Sequence, residues 1–322
     1  MTLRSRTVFA AACAFSKLWR SESELVGGAI LPHGDFAYDP SVVNFSNGSV
    51  ELHQASLLAG AFVITTLQPD VVFMTTPHGI ELGDEFVVYE NTAESGSAPV
   101  GDDVPHHDIY NVTMALQTDV EFAKGLRKDM QKRSLPVTGI EAFSDRLPLP
   151  LSWGEILPMT YLNHSLPKGH VLPRVVLMGI PYKRFNHSTD MVPALLDVGS
   201  AASQYFESTK ARVAWLVSAD LAHTHQASGP YGYCPCAELF DKAAGLWIKS
   251  LNSTALLHDA TEQQKAGASA CGYTGLVMLE GAVAGTGRAS WKSNLLASAA
   301  PTYYGMAVAT LARTNRSQLV VV

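Results

Sequence analysis

The chain has 322 residues and a mass of 34.6 kDa, with 47% apolar and 16% charged residues. That composition supports a large buried core and excludes a disordered protein. The net charge of −6, the pI of about 6.0 and the lack of a basic run exclude a nucleic-acid binder that relies on phosphate contacts. No run of 18 or more apolar residues occurs, so no membrane span is expected. Four cysteines at irregular spacing (Cys13, Cys234, Cys236 and Cys271) exclude a disulfide scaffold.

In chain order, residues 1–22 read as a signal or targeting segment. Arg4 and Arg6 precede the short apolar run Val8–Phe15, and the first acidic residue is Glu22. From Leu25 onward apolar strands alternate with helical stretches. Val26–Leu31, Val71–Thr75, Phe86–Tyr89, Val175–Ile180, Val213–Val217 and Tyr303–Ala312 read as strands. Ser49–Leu67, Asp119–Lys132, Met191–Phe206, Ala237–Leu251 and Gly275–Val283 read as helices. The Asp119–Lys132 stretch sets Val120, Phe122, Ala123, Leu126 and Met130 on one face. Continuous apolar strands between helices predict one α/β domain over residues 23–322, with a central, mostly parallel or mixed sheet covered on both faces.

Seven of the nine asparagines begin N-x-[ST]: Asn44, Asn47, Asn111, Asn163, Asn186, Asn252 and Asn315. Composition alone would give about one or two such acceptors. This excess suits a glycoprotein of the secretory pathway; a cytoplasmic protein is the competing reading.

Three of the strands end in a histidine-bearing turn: Leu31-Pro32-His33-Gly34-Asp35, Thr76-Pro77-His78-Gly79 and Ser218-Ala219-Asp220-Leu221-Ala222-His223. In open α/β sheets the carboxyl ends of the strands build the ligand site. A lone histidine is usually a core or surface residue, but three at equivalent strand ends can converge, and neutral imidazole is the commonest metal ligand. His106-His107, after Asp102-Asp103, reads as a solvated loop pair. His225 reads as support for His223. Cys234-Pro235-Cys236 has no second half, so it makes a poor zinc motif.

These stretches, together with Leu151-Ser152-Trp153-Gly154-Glu155-Ile156-Leu157-Pro158-Met159, Tyr231-Gly232-Tyr233, Phe240-Asp241 and Ala270-Cys271-Gly272, follow one another in an order that resembles the class III extradiol ring-cleaving dioxygenases of the LigB type, a fold shared with Memo-like proteins. The resemblance runs from Ile30 to Val283. It implies that His33 and His78 are ligands of a mononuclear non-haem iron(II), with copper or zinc as alternatives. It also implies that His223 is the acid/base histidine and that Asp220 orients groups around it. The implied substrates are a small aromatic diol and dioxygen. Family members are often dimers, which makes a homodimer the implied assembly.

Two positions depart from the pattern. Ser152-Trp153-Gly154 stands where relatives carry Asp-His-Gly, so Trp153 either stacks on an aromatic ring or fills the pocket. The late glutamate ligand of the dioxygenases has no counterpart in Gly267–Gly272. Memo-like proteins place a cysteine there, which makes Cys271 the implied third ligand, with Glu280 as the nearest downstream carboxylate. A thiolate is softer than a carboxylate and more easily oxidised. This keeps a second reading open, a Memo-like copper- or iron-binding protein without ring cleavage. Asp35 is expected to accept a hydrogen bond from an imidazole N–H rather than to ligate.

Overall fold

The branched and aromatic runs of the sequence become the centre of an eight-stranded mixed sheet. The computed structural model describes residues 24–102, 108–143 and 147–314. The expected targeting segment, His106-His107 and Asn315 lie outside the described residues.

In chain order the strands are β1 (Glu24–Leu31), β2 (Val71–Thr76), β3 (Phe86–Tyr89), β4 (Ala93–Val100), β5 (Tyr110–Gln117), β6 (Val137–Ile140), β7 (Leu149–Leu151), β8 (Arg174–Gly179), β9 (Arg212–Ser218), β10 (Trp291–Ala299) and β11 (Met306–Arg313). The α-helices are α1 (Asp35–Tyr38), α2 (Ser49–Ala61), α3 (Val120–Lys132), α4 (Trp153–His164), α5 (Arg184–His187), α6 (Val192–Ser208), α7 (Cys236–Ser250), α8 (Thr261–Gln263) and α9 (Tyr273–Gly285). The main sheet runs β10-β11-β1-β9-β2-β8-β3-β6. Its centre is parallel, with β1, β9, β2 and β8 as successive neighbours, while β11 on β1 and β3 on β8 are antiparallel.

Strand alternation explains why the central runs are apolar throughout. Val71, Phe73, Val213, Trp215 and Val217 face a core built with α3, α6, α7 and α9. Val72, Met74, Ala214 and Leu216 face a second core built with α1, α2 and α4. Both faces are buried, so neither carries the polar alternation of a half-exposed sheet. Helices α6 and α9 pack closely because Gly199 sits against the backbone of Met278, where a Cβ would collide. On α3 the apolar face reads out as expected, with Asp119 as N-cap accepting the Phe122 N–H at 3.1 Å.

One part of the architecture was not expected. A separate three-stranded sheet, β5-β4-β7, packs beside the carboxyl edge of the main one. The strand Ala93–Val100 (AESGSAPV) is rich in small and turn-forming residues, which hides it from propensity. The expected last strand also begins later, at Met306, which leaves Tyr303 and Tyr304 in a turn. Helix α2 continues in wider turns to Leu67, and Ser49–Leu67 is long and apolar enough to cross a membrane by length and composition alone. Its Leu52, Ala55, Ser56 and Ala59 are buried, and the helix contacts α4 and β11.

Candidate metal centre and its cavity

The geometry of the site follows from strand order. β1, β9 and β2 lie side by side and parallel, so the turns after them open at one edge. The turn after β1 carries His33, the turn after β2 carries His78, and the segment after β9 carries Asp220 and His223. Cys271 arrives from far along the chain, just ahead of α9. The Gly272 N–H donates to Asp220 O at 2.9 Å, and the missing side chain of Gly272 lets this backbone sit against Ala219 and Asp220.

His33, His78 and Cys271 each offer a ligating atom, and these atoms lie within 4.8 Å of one another. The two imidazoles meet edge to face with centroids 4.7 Å apart. The protonation of His33 can be read from its partners. Ser218 Oγ must donate its single proton to the Gly154 carbonyl, 2.6 Å away, and is 2.8 Å from His33 Nδ1. Nδ1 therefore carries the proton and donates to Ser218, leaving a lone pair on Nε2. That atom lies 3.3 Å from Cys271 Sγ and 3.3 Å from Asp220 Oδ2. A lone pair, a thiol and a carboxylate oxygen thus converge on one point.

Electrostatics agree with this assignment. Burial first, then His78, His223 and Arg184, hold His33 well below the usual imidazole range. Burial, then Arg184 and His223, push His78 down to about 3. Both rings are therefore neutral donors at physiological pH. Burial and then the Asp220 charge push the Cys271 thiol up, against smaller opposing effects of its hydrogen bond to the Asp220 backbone and of Arg184. Such a thiol keeps its proton until a cation arrives, and metal binding at this point would release that proton. The donor set fits a transition ion that accepts nitrogen and sulfur. The buried guanidinium of Arg184 pairs with Glu81 at 2.7 Å.

Above these donors lies a cavity of about 470 Å³, with His33, His78, Asp220 and His223 on its surface. Ser97 and Pro99 of β4, Asp102 just after it and Leu151 at the end of β7 also line the cavity, together with Tyr231, Tyr303 and Tyr304. Trp153 lies tilted on His78 with centroids 5.1 Å apart and is 44% exposed, so it forms a wall and leaves the cavity open. The His78 turn is tied down by Ser152, whose Oγ bonds the His78 carbonyl and Glu155. Burial pushes Glu155 up to about 7.

His223 stacks on Tyr304 at 5.3 Å and meets the Tyr231 ring edge-on at 5.7 Å. Its Nδ1 lies 2.8 Å from the Leu221 carbonyl, which can only accept, so Nδ1 is protonated and Nε2 holds the lone pair. Burial pushes His223 down to about 4, partly opposed by that carbonyl. Behind it, His225 Nε2 bonds Asp241 Oδ2 at 2.8 Å, and Asp241 also accepts the Ala222 N–H. Asp220 accepts the His33 N–H at 3.2 Å, and Asp35 accepts the Gly101 N–H at 2.6 Å.

Glu280, the alternative third ligand, is elsewhere. It lies buried in the middle of α9, bonded to Arg288 and to Trp247 Nε1 at 2.7 Å. A carboxylate already matched by a guanidinium and an indole N–H is not available to His33 and His78. Cys234 and Cys236 form a disulfide, so they are not a metal pair. Ser218, Tyr303 and Tyr304 were not singled out from the sequence. Their only signals are a serine at the end of a strand and two adjacent tyrosines after a proline.

The fold and this donor set define a mixed α/β protein with a candidate transition-metal centre at the carboxyl edge of its sheet. The family described as the catalytic LigB subunit of aromatic ring-opening dioxygenase matches residues 56–309, and the chain belongs to that family. The matched stretch holds His78, Asp220, His223 and Cys271, with His33 upstream of it. Protein CA_C1420 of Clostridium acetobutylicum is 25% identical over 223 residues, covering 68% of this chain and 43% of that protein. The chain thus spans less than half the length of that relative. The crystal structure of the uncharacterized protein JW3007 from Escherichia coli K12 is similar at 12% identity with a TM-score of 0.48, covering 79% of this chain and 90% of that one.

Proposed function

We propose that this protein is an iron(II)-dependent extradiol dioxygenase that opens a catechol-like ring with dioxygen, its metal held by His33, His78 and Cys271. The observation that carries the reading is the convergence of these three donors beside an aromatic-walled cavity that His33, His78 and His223 line. When bound, the metal would supply adjacent positions for a diol and dioxygen and a route for electron density between them.

The chain's own residues supply the rest. His223 is neutral, and its Nε2 lone pair can take a proton from a substrate hydroxyl and return it as the ring opens. The Leu221 carbonyl holds that tautomer, and Tyr304 holds the ring plane. Trp153 and Tyr231 offer faces for an aromatic ring. Among the described residues lining the cavity there is no lysine or arginine, while Asp35 and Asp102 add carboxylates to Asp220. That lining favours a neutral or amine-bearing catechol over a ring carboxylate.

The cysteine favours a second reading, a metal-binding protein of the same fold without ring cleavage. Two imidazoles and a thiolate make a softer set than two histidines and a carboxylate, and suit copper as well as iron. Anaerobic loading with iron(II), followed by neutral catechols and oxygen, separates the two. A yellow ring-opened semialdehyde supports the first. Silence across several catechols, with copper bound tightly and lost in Cys271→Ala, replaces it with the second.

A further inference from the structure

The asparagine pattern is independent of the metal site and of any activity there. Seven acceptor tripeptides among nine asparagines exceed the one or two that composition gives by about fivefold. The fold adds what the tripeptides alone do not show. All six acceptors within the described residues are exposed: Asn44, Asn47, Asn111, Asn163, Asn186 and Asn252. They are spread over the loop before α2, the start of β5, the last turn of α4, the short α5 and the turn after α7. By contrast Asn91, which lacks the tripeptide, is fully buried, with its amide committed to the backbone of Ala142 and Leu147.

Three of the acceptors have an exposed aromatic neighbour in sequence. Phe45 beside Asn44 is 66% exposed, Phe185 beside Asn186 is 55% exposed and Tyr110 beside Asn111 is 41% exposed. Bare rings of this size are costly on a soluble surface, and the C–H face of a sugar attached next door would cover them. The cysteines give a second sign of the same compartment. Cys234 and Cys236 are bonded to each other at the turn into α7, which leaves Cys271 as the free cysteine among the described residues. Such bonds persist in oxidising compartments and are rare in the cytosol.

We infer that this protein is N-glycosylated on its exposed asparagines and matures in the secretory pathway. Asn44 and Asn47 stand three residues apart and leave room for one glycan between them. The Asn47 amide already donates to the Pro301 carbonyl at 3.1 Å, which favours Asn44.

The test is expression of the full chain, without added targeting sequence, in a eukaryotic cell, followed by digestion with a peptide N-glycosidase. The expected result is a mobility shift on digestion, with asparagine-to-aspartate conversion mapped by mass spectrometry to the named sites. Single Asn→Gln changes at Asn111, Asn163, Asn186 and Asn252 should each remove one step of that shift, since exposed side chains are replaced without disturbing the core. The same chain behind a strong secretory signal shows whether the acceptors are usable once in the lumen. An unshifted band from the unmodified chain overturns the inference, whatever the signal-fused chain does.

Discussion

Two polar groups, the buried Glu280 within α9 and the half-buried Cys271 just before it, meet opposite treatment. In its middle, Glu280 is surrounded by matching donors, with the Arg288 guanidinium on both oxygens and the Trp247 N–H on one. Just ahead of its first turn, Cys271 Sγ lies 3.3 Å from His33 Nε2, which is itself 3.3 Å from Asp220 Oδ2, with His78 close by. The first cluster is complete in itself and reads as structure. In the second, the thiol proton stands between the Cys271 sulfur and the His33 Nε2 lone pair 3.3 Å away, and a metal ion binding there would replace that proton and draw on the same donors. The difference separates a satisfied buried charge from a candidate ligand set, although both involve residues on or beside one helix.

The comparison can be broken from either side. The largest effect is expected at the cavity: His223→Ala should lower ring-opening turnover by about 10²–10⁴-fold with metal content unchanged. Metal loss in that variant would make His223 a ligand rather than an acid/base. Ser218→Ala removes the acceptor that keeps the His33 proton on Nδ1, and should weaken metal affinity by about 10–100-fold in a chelator competition. Unchanged affinity would show that the tautomer is set by something else.

At the satisfied cluster the opposite pattern is expected. Glu280→Ala should leave metal binding intact but lower stability by about 1–3 kcal/mol in denaturant titration, because Trp247 and Arg288 lose their acceptor. A loss of metal would reinstate Glu280 as a ligand.

The smallest effect concerns Glu94, buried in the small sheet, accepting from Thr118 on one oxygen while the other has no partner. Burial pushes its carboxyl up to about 7 from an ordinary 4.5. Between those values the unfolded chain has released the proton and the folded chain still holds it, so stability falls as pH rises from about 4.5 to 7. Glu94→Gln should therefore raise stability at pH 8 by about 1–2 kcal/mol and change little near pH 4.5. An equal gain at both pH values would contradict the assignment.

Much of the candidate ligand edge was legible because its histidines sit where regular structure stops. His33 and His78 follow runs of branched and aromatic residues and stand in Pro-His-Gly turns, and strand periodicity alone locates those turns. Cys271 had no such local signature and came only from the resemblance. The small sheet stayed hidden because Gly96, Ser97 and Pro99 read as loop, although they pair in register with Met114, Thr113 and Asn111. Tyr303 and Tyr304 were absorbed into the apolar strand that follows them. The partner of Glu280 was equally invisible, since Arg288 returns to it only after α9 has ended.

The most direct test of the ligand assignment is metal analysis of freshly purified wild-type protein beside Cys271→Ala. About one transition-metal ion per chain in the wild type, and almost none in the variant, is the expected pair of values. Equal metal in both proteins, or none in either after anaerobic loading with iron(II) or copper(I), would contradict a site built from His33, His78 and Cys271.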